Sequence, residues 1–250
     1  MQSRFVMKKL SLAIIAMLGE VTSAHAHQIW IEQADGENAV VRFGEFGENL
    51  REASPGLLDK FAKVTSTLIA SKGEQKSDAT KTANGFTLPF KAAAGDSIVA
   101  EDASYPLFQT KQQDKQITGW YYPAARLITG FAAQKPKLVL DLVPTGQDGE
   151  FKLFFKDQPK AKTKVTLVTQ SGWSKEANTD EQGIVTFDLP WKGTYVAEVS
   201  FNDRAVGERA GANGVEKYDG VSYATTVTYV NANGLSPLPA GPAATPSPAK

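Results

Sequence analysis

Between Glu150 and Phe201 the chain keeps one short rhythm: apolar runs of six to ten residues, each closed by a turn signal at "KDQPKA", "TDEQG" or "PWKG". Runs of that length suit β-strands, and Gly, Pro, Asn and Asp at their ends supply the turns. The same alternation holds upstream. "HQIWIEQ" places Ile29 and Ile31 on one face and Gln28, Trp30 and Glu32 on the other. Further strand candidates are "AVVRFGEF", "VTSTLIAS", "GFTLPFKA", "SIVAEDA", "YPLFQTKQ", "ARLITGFA" and "KLVLDLVP", and "GVSYATTVTYV" supplies a closing strand. "ENLREASPGLLDKFA" reads as a loop with a short helix, because Ser54-Pro55-Gly56 interrupts its periodicity. No long helical periodicity appears. The expected class is all-β: two β-sandwich units, residues 27–146 and 147–232, with the break near "PTGQDGE". A Pro/Ala-rich tail, 233–250, is too poor in apolar side chains to bury a core and is expected to be disordered.

The first residues differ in kind. Arg4, Lys8 and Lys9 precede "LSLAIIAML", an apolar run too short to span a bilayer but suited to the core of a secretory signal. Translation starting at Met7 would give a tighter version of the same signal. Small residues at Ala24 and Ala26 form a cleavage site, so residues 1–26 are expected to be a signal peptide. Its removal leaves 24 basic and 26 acidic residues, a balance that suggests neither nucleic acid nor an anionic membrane as partner. No other stretch approaches transmembrane length. The chain has no cysteine, hence no disulfide, thiolate metal site or lipid anchor after the signal. The expected destination is the bacterial periplasm.

Cleavage after Ala26 discards His25 and makes His27, then the only histidine, the first residue of the mature chain. A terminal histidine offers a free α-amino group and an imidazole Nδ1 that close a chelate ring on one metal ion. Both nitrogens lose their protons near neutral pH, and as borderline donors they suit Ni, Co, Cu or Zn rather than Ca or Mg. A copper histidine brace would need a second histidine, and none remains. Co-ligands must come from carboxylates, tyrosines, backbone or water. Glu101, Asp102 and Tyr105 in "EDASY", at a strand end, are the candidates. Glu32 is poorly placed, since an odd separation along a strand puts it on the opposite face from His27.

The signal ending in "AHAH", the "QIWIE" strand, "VRFGEFGE", "YYPAARLI" and the late "KDQPKAKTKVTLVTQSG…TDEQGIVTFDLPWKGTYV" together resemble an exported domain-of-unknown-function family, the periplasmic component of cobalt and nickel uptake. The likeness spans roughly residues 27 to 230. Its late segment also resembles transthyretin-like and carboxypeptidase-regulatory sandwiches, so the units are expected to be immunoglobulin-like or transthyretin-like. The resemblance implies a periplasmic accessory protein that binds one transition-metal ion through His27 and passes it to an inner- or outer-membrane metal transporter. Relatives often carry further histidines, which this chain lacks.

Catalysis finds little support: there is no G-x-S-x-G elbow, glycine-rich phosphate loop or cysteine nucleophile, so the chain does not read as an enzyme. Trp120, Tyr121 and Tyr122 suit a junction between sheets, or else a stacking platform for a sugar. The alternative to metal binding is therefore a non-metal interaction or carbohydrate-binding module.

Overall fold

The computed structural model describes residues 27–112, 114–211 and 213–248; the expected signal segment and cleavage site, with His25, lie outside the described residues. The chain is all-β. Its first half contributes β1 (Gln28–Glu32), β2 (Val40–Glu45), β3 (Leu50–Arg51), β4 (Thr65–Ala70), β5 (Gly73–Asp78), β6 (Thr80–Thr82), β7 (Gly85–Thr87), β8 (Ser97–Glu101), β9 (Leu107–Gln112) and the long β10 (Lys115–Ile128). The second half contributes β11 (Leu140–Pro144), β12 (Glu150–Phe155), β13 (Gln158–Pro159), β14 (Lys164–Thr169), β15 (Ser174–Asn178), β16 (Ile184–Thr186), β17 (Gly193–Asp203), β18 (Gly207–Gly211), β19 (Gly214–Tyr218) and β20 (Gly220–Asn231). A 3-10 turn, Leu57–Lys60, is the helical piece within the "SPGLLDK" loop.

Three sheets carry the structure. The first has the order β1-β2-β7-β6, with β3 on the flank of β2. The second, nine-stranded, runs β15-β14-β17-β20-β10-β8-β4-β5, with β9 also on β10. The third is β11-β12-β13 with β16. The nine-stranded sheet crosses the expected unit boundary. Its centre is a parallel pairing of β10 with β20, from Gly119 opposite Gly220 to Ile128 opposite Tyr229. The two sandwiches therefore share their middle sheet instead of standing as separate units.

Alternation along β10 shows how one sheet serves two cores. Tyr121, Ala125 and Leu127 face a core with Ile29, Ile31, Val41, Phe43, Phe61 and Leu88. Trp120, Tyr122 and Ile128 face the opposite core, with Leu142, Phe151, Leu153, Val165 and Tyr195. Successive side chains on a strand point to opposite faces, so a strand covered on both sides must be apolar or aromatic at successive positions. That is the reason for "GWYYPAARLI". The three aromatics fill both cores and form no exposed platform.

The first sheet meets the central one through its edge strand. The outer edge of β1 lies on β10 and β20: Tyr121 donates to the carbonyl of His27 at 2.7 Å, and the buried Thr226 hydroxyl donates to the carbonyl of Ile29 at 2.8 Å. Side-chain hydroxyls thus satisfy carbonyls that a free edge would leave open. Ile29 and Ile31 fall to one side of this contact, while Trp30 falls to the other and packs with Phe46, Val168 and Val196.

The Pro-rich tail departs from the expected disorder. Its backbone N–H groups find acceptors: Leu235 on the Pro190 carbonyl, Gly241 on that of Gln170 and Ala244 on that of Asn49. Ala244 bridges in parallel to Leu50. An extended Pro-rich segment needs no core of its own when strand edges accept its remaining donors.

Candidate functional site

His27 stands at the head of β1, and the register of its hairpin determines its neighbour. Gln28 pairs with Gly44, and each later pair in β1–β2 keeps that register. His27 is therefore opposite Glu45, at a separation where side chains on one face touch. Imidazole Nδ1 lies 3.1 Å from a Glu45 carboxylate oxygen. Across the next strand, Gly44 pairs with Arg51, and the Glu52 N–H donates to the Phe43 carbonyl. That brings Glu52 to the other ring nitrogen, with Nε2 2.7 Å from its carboxylate. The close return of the chain needs glycine. Gly44 has φ +143°, and a Cβ there would lie 2.3 Å from the Leu50 carbonyl oxygen.

The ring is gripped on other sides too. Its centroid is 5.3 Å from that of Phe43, which belongs to an aromatic chain running through Phe61 and Tyr105 to Tyr121. Tyr121 holds the His27 carbonyl, as described above. The imidazole nonetheless keeps 27% of its side-chain surface exposed, whereas Glu52 has none. Glu52 is held ionised in that burial. Desolvation pushes its carboxyl up, but the hydrogen bonds from His27 and from the hydroxyl and backbone N–H of Ser247 together bring it below the usual carboxylate range.

A third carboxylate stands close by. Glu198 on β17 accepts a long bond from the Gln28 side-chain amide at 3.3 Å. Burial, and then the charge of Glu45, push its carboxyl up to about 7. Glu45, Glu48 and Glu198 line a small cleft of about 90 Å³ with Phe46, Val168 and Ser174.

The expected co-ligands are engaged elsewhere. Glu101 accepts from the Tyr122 hydroxyl at 2.9 Å, and burial raises its carboxyl. Asp102 is fully buried and accepts from the backbone N–H and hydroxyl of Ser104. Tyr105 packs edge-on against Phe61 and Tyr121, its phenol pushed up to about 12 by burial and then by Asp102. It belongs to the wall behind His27, on the far side of Phe43. Glu32 faces the other way and pairs with Arg42 and Arg51.

The residues that do meet His27 are Glu45 and Glu52, neither of which the sequence singles out. Glu52 in particular, in "GENLREASPG", has the composition of a surface loop and is instead completely buried. Among the described residues, no group of three or more His, Asp or Glu side chains is arranged to hold a metal ion by itself. Side chains alone supply a pair, Nδ1 of His27 and the Glu45 carboxylate, with Glu52 behind the second ring nitrogen.

That pair has a definite electrostatic demand. One carboxylate stands at each ring nitrogen, Glu45 at Nδ1 and Glu52 at Nε2. The Nδ1–Glu45 gap is where a cation, a proton or a metal ion, would be shared between nitrogen and oxygen. The Glu52–imidazole bond is also the kind of outer contact that fixes the tautomer of a metal-bound histidine. Two side-chain donors do not make a metal site by themselves; an ion held here would need further donors.

No family model matches the chain, and no curated protein matches it either. Among the described residues no helix is long and apolar enough to cross a membrane.

Proposed function

We propose that this chain is an exported accessory protein that binds one transition-metal ion, nickel, cobalt or a chemically related ion, at a mature N-terminus beginning with His27. In the periplasm it would hand that ion to a membrane transporter. The observation that carries the reading is the approach of His27 Nδ1 to Glu45 at 3.1 Å, with Glu52 holding Nε2 from behind. Signal cleavage would turn the His27 amide into an amine, the further donor that this pair lacks, and would close a chelate ring with Nδ1. Both nitrogens are borderline donors and Glu45 adds an oxygen, a set suited to Ni, Co, Cu or Zn. The transporter and the uptake role rest on the family resemblance.

Titration of Ni, Co, Cu and Zn into protein whose first residue is verified as His27 tests this. One-to-one binding, lost both in His27→Ala and in protein extended by one N-terminal alanine, supports the reading. Binding no tighter than that of a free histidyl peptide overturns it.

A second reading draws on the same two carboxylates. If the cation between His27 and Glu45 is only a proton, the ring is a clasp that pins the first strand. The chain is then a non-metal interaction module. The alanine-extended protein separates the two readings, since a clasp needs no free amine and would survive the extension.

A further inference from the structure

We infer that Ser247, in the C-terminal tail, is a positioning residue of the His27 site. Its backbone N–H donates to one oxygen of Glu52 at 2.9 Å, and its hydroxyl donates to the other at 2.8 Å. The second oxygen also accepts from His27 Nε2. A fully buried carboxylate needs several donors to stay ionised, and Ser247 supplies two of the three side-chain and backbone donors seen here. The tail reaches this point by design of its sequence. Prolines at 246 and 248 fix an extended path around Ser247 and leave its N–H as the local donor. Ala244 is bridged to Leu50, and the Asn49 side chain donates to the Gly241 carbonyl, so the segment is anchored along β3 before it reaches Glu52. The Ser247 carbonyl passes over Gly56, where a Cβ would come within 3.2 Å of it.

The consequence concerns the imidazole. Ser247 fixes the orientation of Glu52, whose oxygen meets Nε2, and so leaves Nδ1 as the nitrogen that faces Glu45 and the terminus. Ser247 thus determines which ring nitrogen is left for a metal, acting through Glu52 from 195 positions further along the chain. This rests on the metal reading for its purpose but not for its geometry.

The test uses mature full-length protein and three substitutions. Ser247→Pro removes both donors while keeping an extended backbone; Ser247→Ala removes the hydroxyl alone; Ser247→Thr restores it. The first readout is solvent exchange of the His27 Nε2–H proton in metal-free protein, followed by ¹⁵N-resolved NMR. The expected result is a protected Nε2–H in the parent and in Ser247→Thr, and loss of that protection in Ser247→Pro. The second is Ni(II) affinity, expected to fall on the order of 10- to 100-fold in Ser247→Pro, less in Ser247→Ala, and to return in Ser247→Thr. Protection indifferent to Ser247→Pro overturns the inference, whatever the metal does. Protection lost in a protein binding no nickel upholds Ser247 as the positioning residue and overturns the metal reading alone.

Discussion

His27 and Glu45 are cross-strand partners, and their contact at 3.1 Å follows from the register of a single hairpin. The hairpin turns about Gly36, which takes φ +76°. Each of the two residues lies nine positions from that turn, so neither can move to another partner without shifting the whole strand pair. Such a shift would turn Ile29, Ile31, Val41 and Phe43 out of their core. The site is as well defined as the core beneath it.

Glu45→Gln keeps the volume and removes the charge. Ni(II) affinity of the mature protein is expected to drop at least about tenfold, by analogy with the loss of close polar partners at metal sites. Titration against the parent checks this, and unchanged affinity would remove Glu45 from the site.

Glu198 carries a pH signature. Its carboxyl is raised to about 7 by burial and by Glu45, from an ordinary value of 4.5. The folded protein therefore holds a proton that the unfolded chain releases, and stability falls as pH rises from about 4.5 to about 7. Urea denaturation at intervals across that window is expected to show the decline in the parent. Glu198→Gln should flatten it and be the more stable protein above pH 7. A parallel decline in both proteins would assign the slope to another group.

The strands were legible in sequence and the site's partners were not, and the first hairpin shows why. Alternation marks "QIWIE" and "AVVRFGEF" as strands, but the loop between Glu32 and Val40 is too long to set their register, so the pairing of His27 with Glu45 is seen only in the structure. "EDASY" offers oxygen donors at a strand end, but the sequence carries no information about which strand ends meet. Glu52 was illegible for a different reason: a charge in a polar loop looks solvated until the donors that bury it are known, and two of these come from Ser247. The shared central sheet was hidden as well. The parallel β10–β20 pairing joins segments about a hundred residues apart, which local periodicity does not reveal.

That shared sheet carries a buried ion pair. Arg126 on β10 donates from Nε to Asp141 on β11 at 3.0 Å and from a terminal nitrogen to the other oxygen, with both side chains wholly buried. Asp141 also accepts from the backbone N–H groups of Lys137 and Leu138. Asp141→Ala leaves a buried guanidinium unpaired and is expected to cost about 3–5 kcal/mol of stability. Chemical denaturation measures it; a cost below about 1 kcal/mol would mean that water reaches Arg126.

Tyr121→Phe tests how the first strand is anchored. It removes the donor to the His27 carbonyl and is expected to destabilise by about 1 kcal/mol. Hydrogen exchange should show faster opening of β1 relative to β20, and equal exchange would show that the Thr226 bond suffices.

The central claim is that the mature terminus itself is the metal ligand. Nickel-edge X-ray absorption on the one-to-one complex of the mature protein tests it most directly. The account predicts a first shell of nitrogen and oxygen only, with outer-shell scattering from one imidazole, absent in His27→Ala. No imidazole scattering, or a spectrum unchanged by His27→Ala, would contradict it.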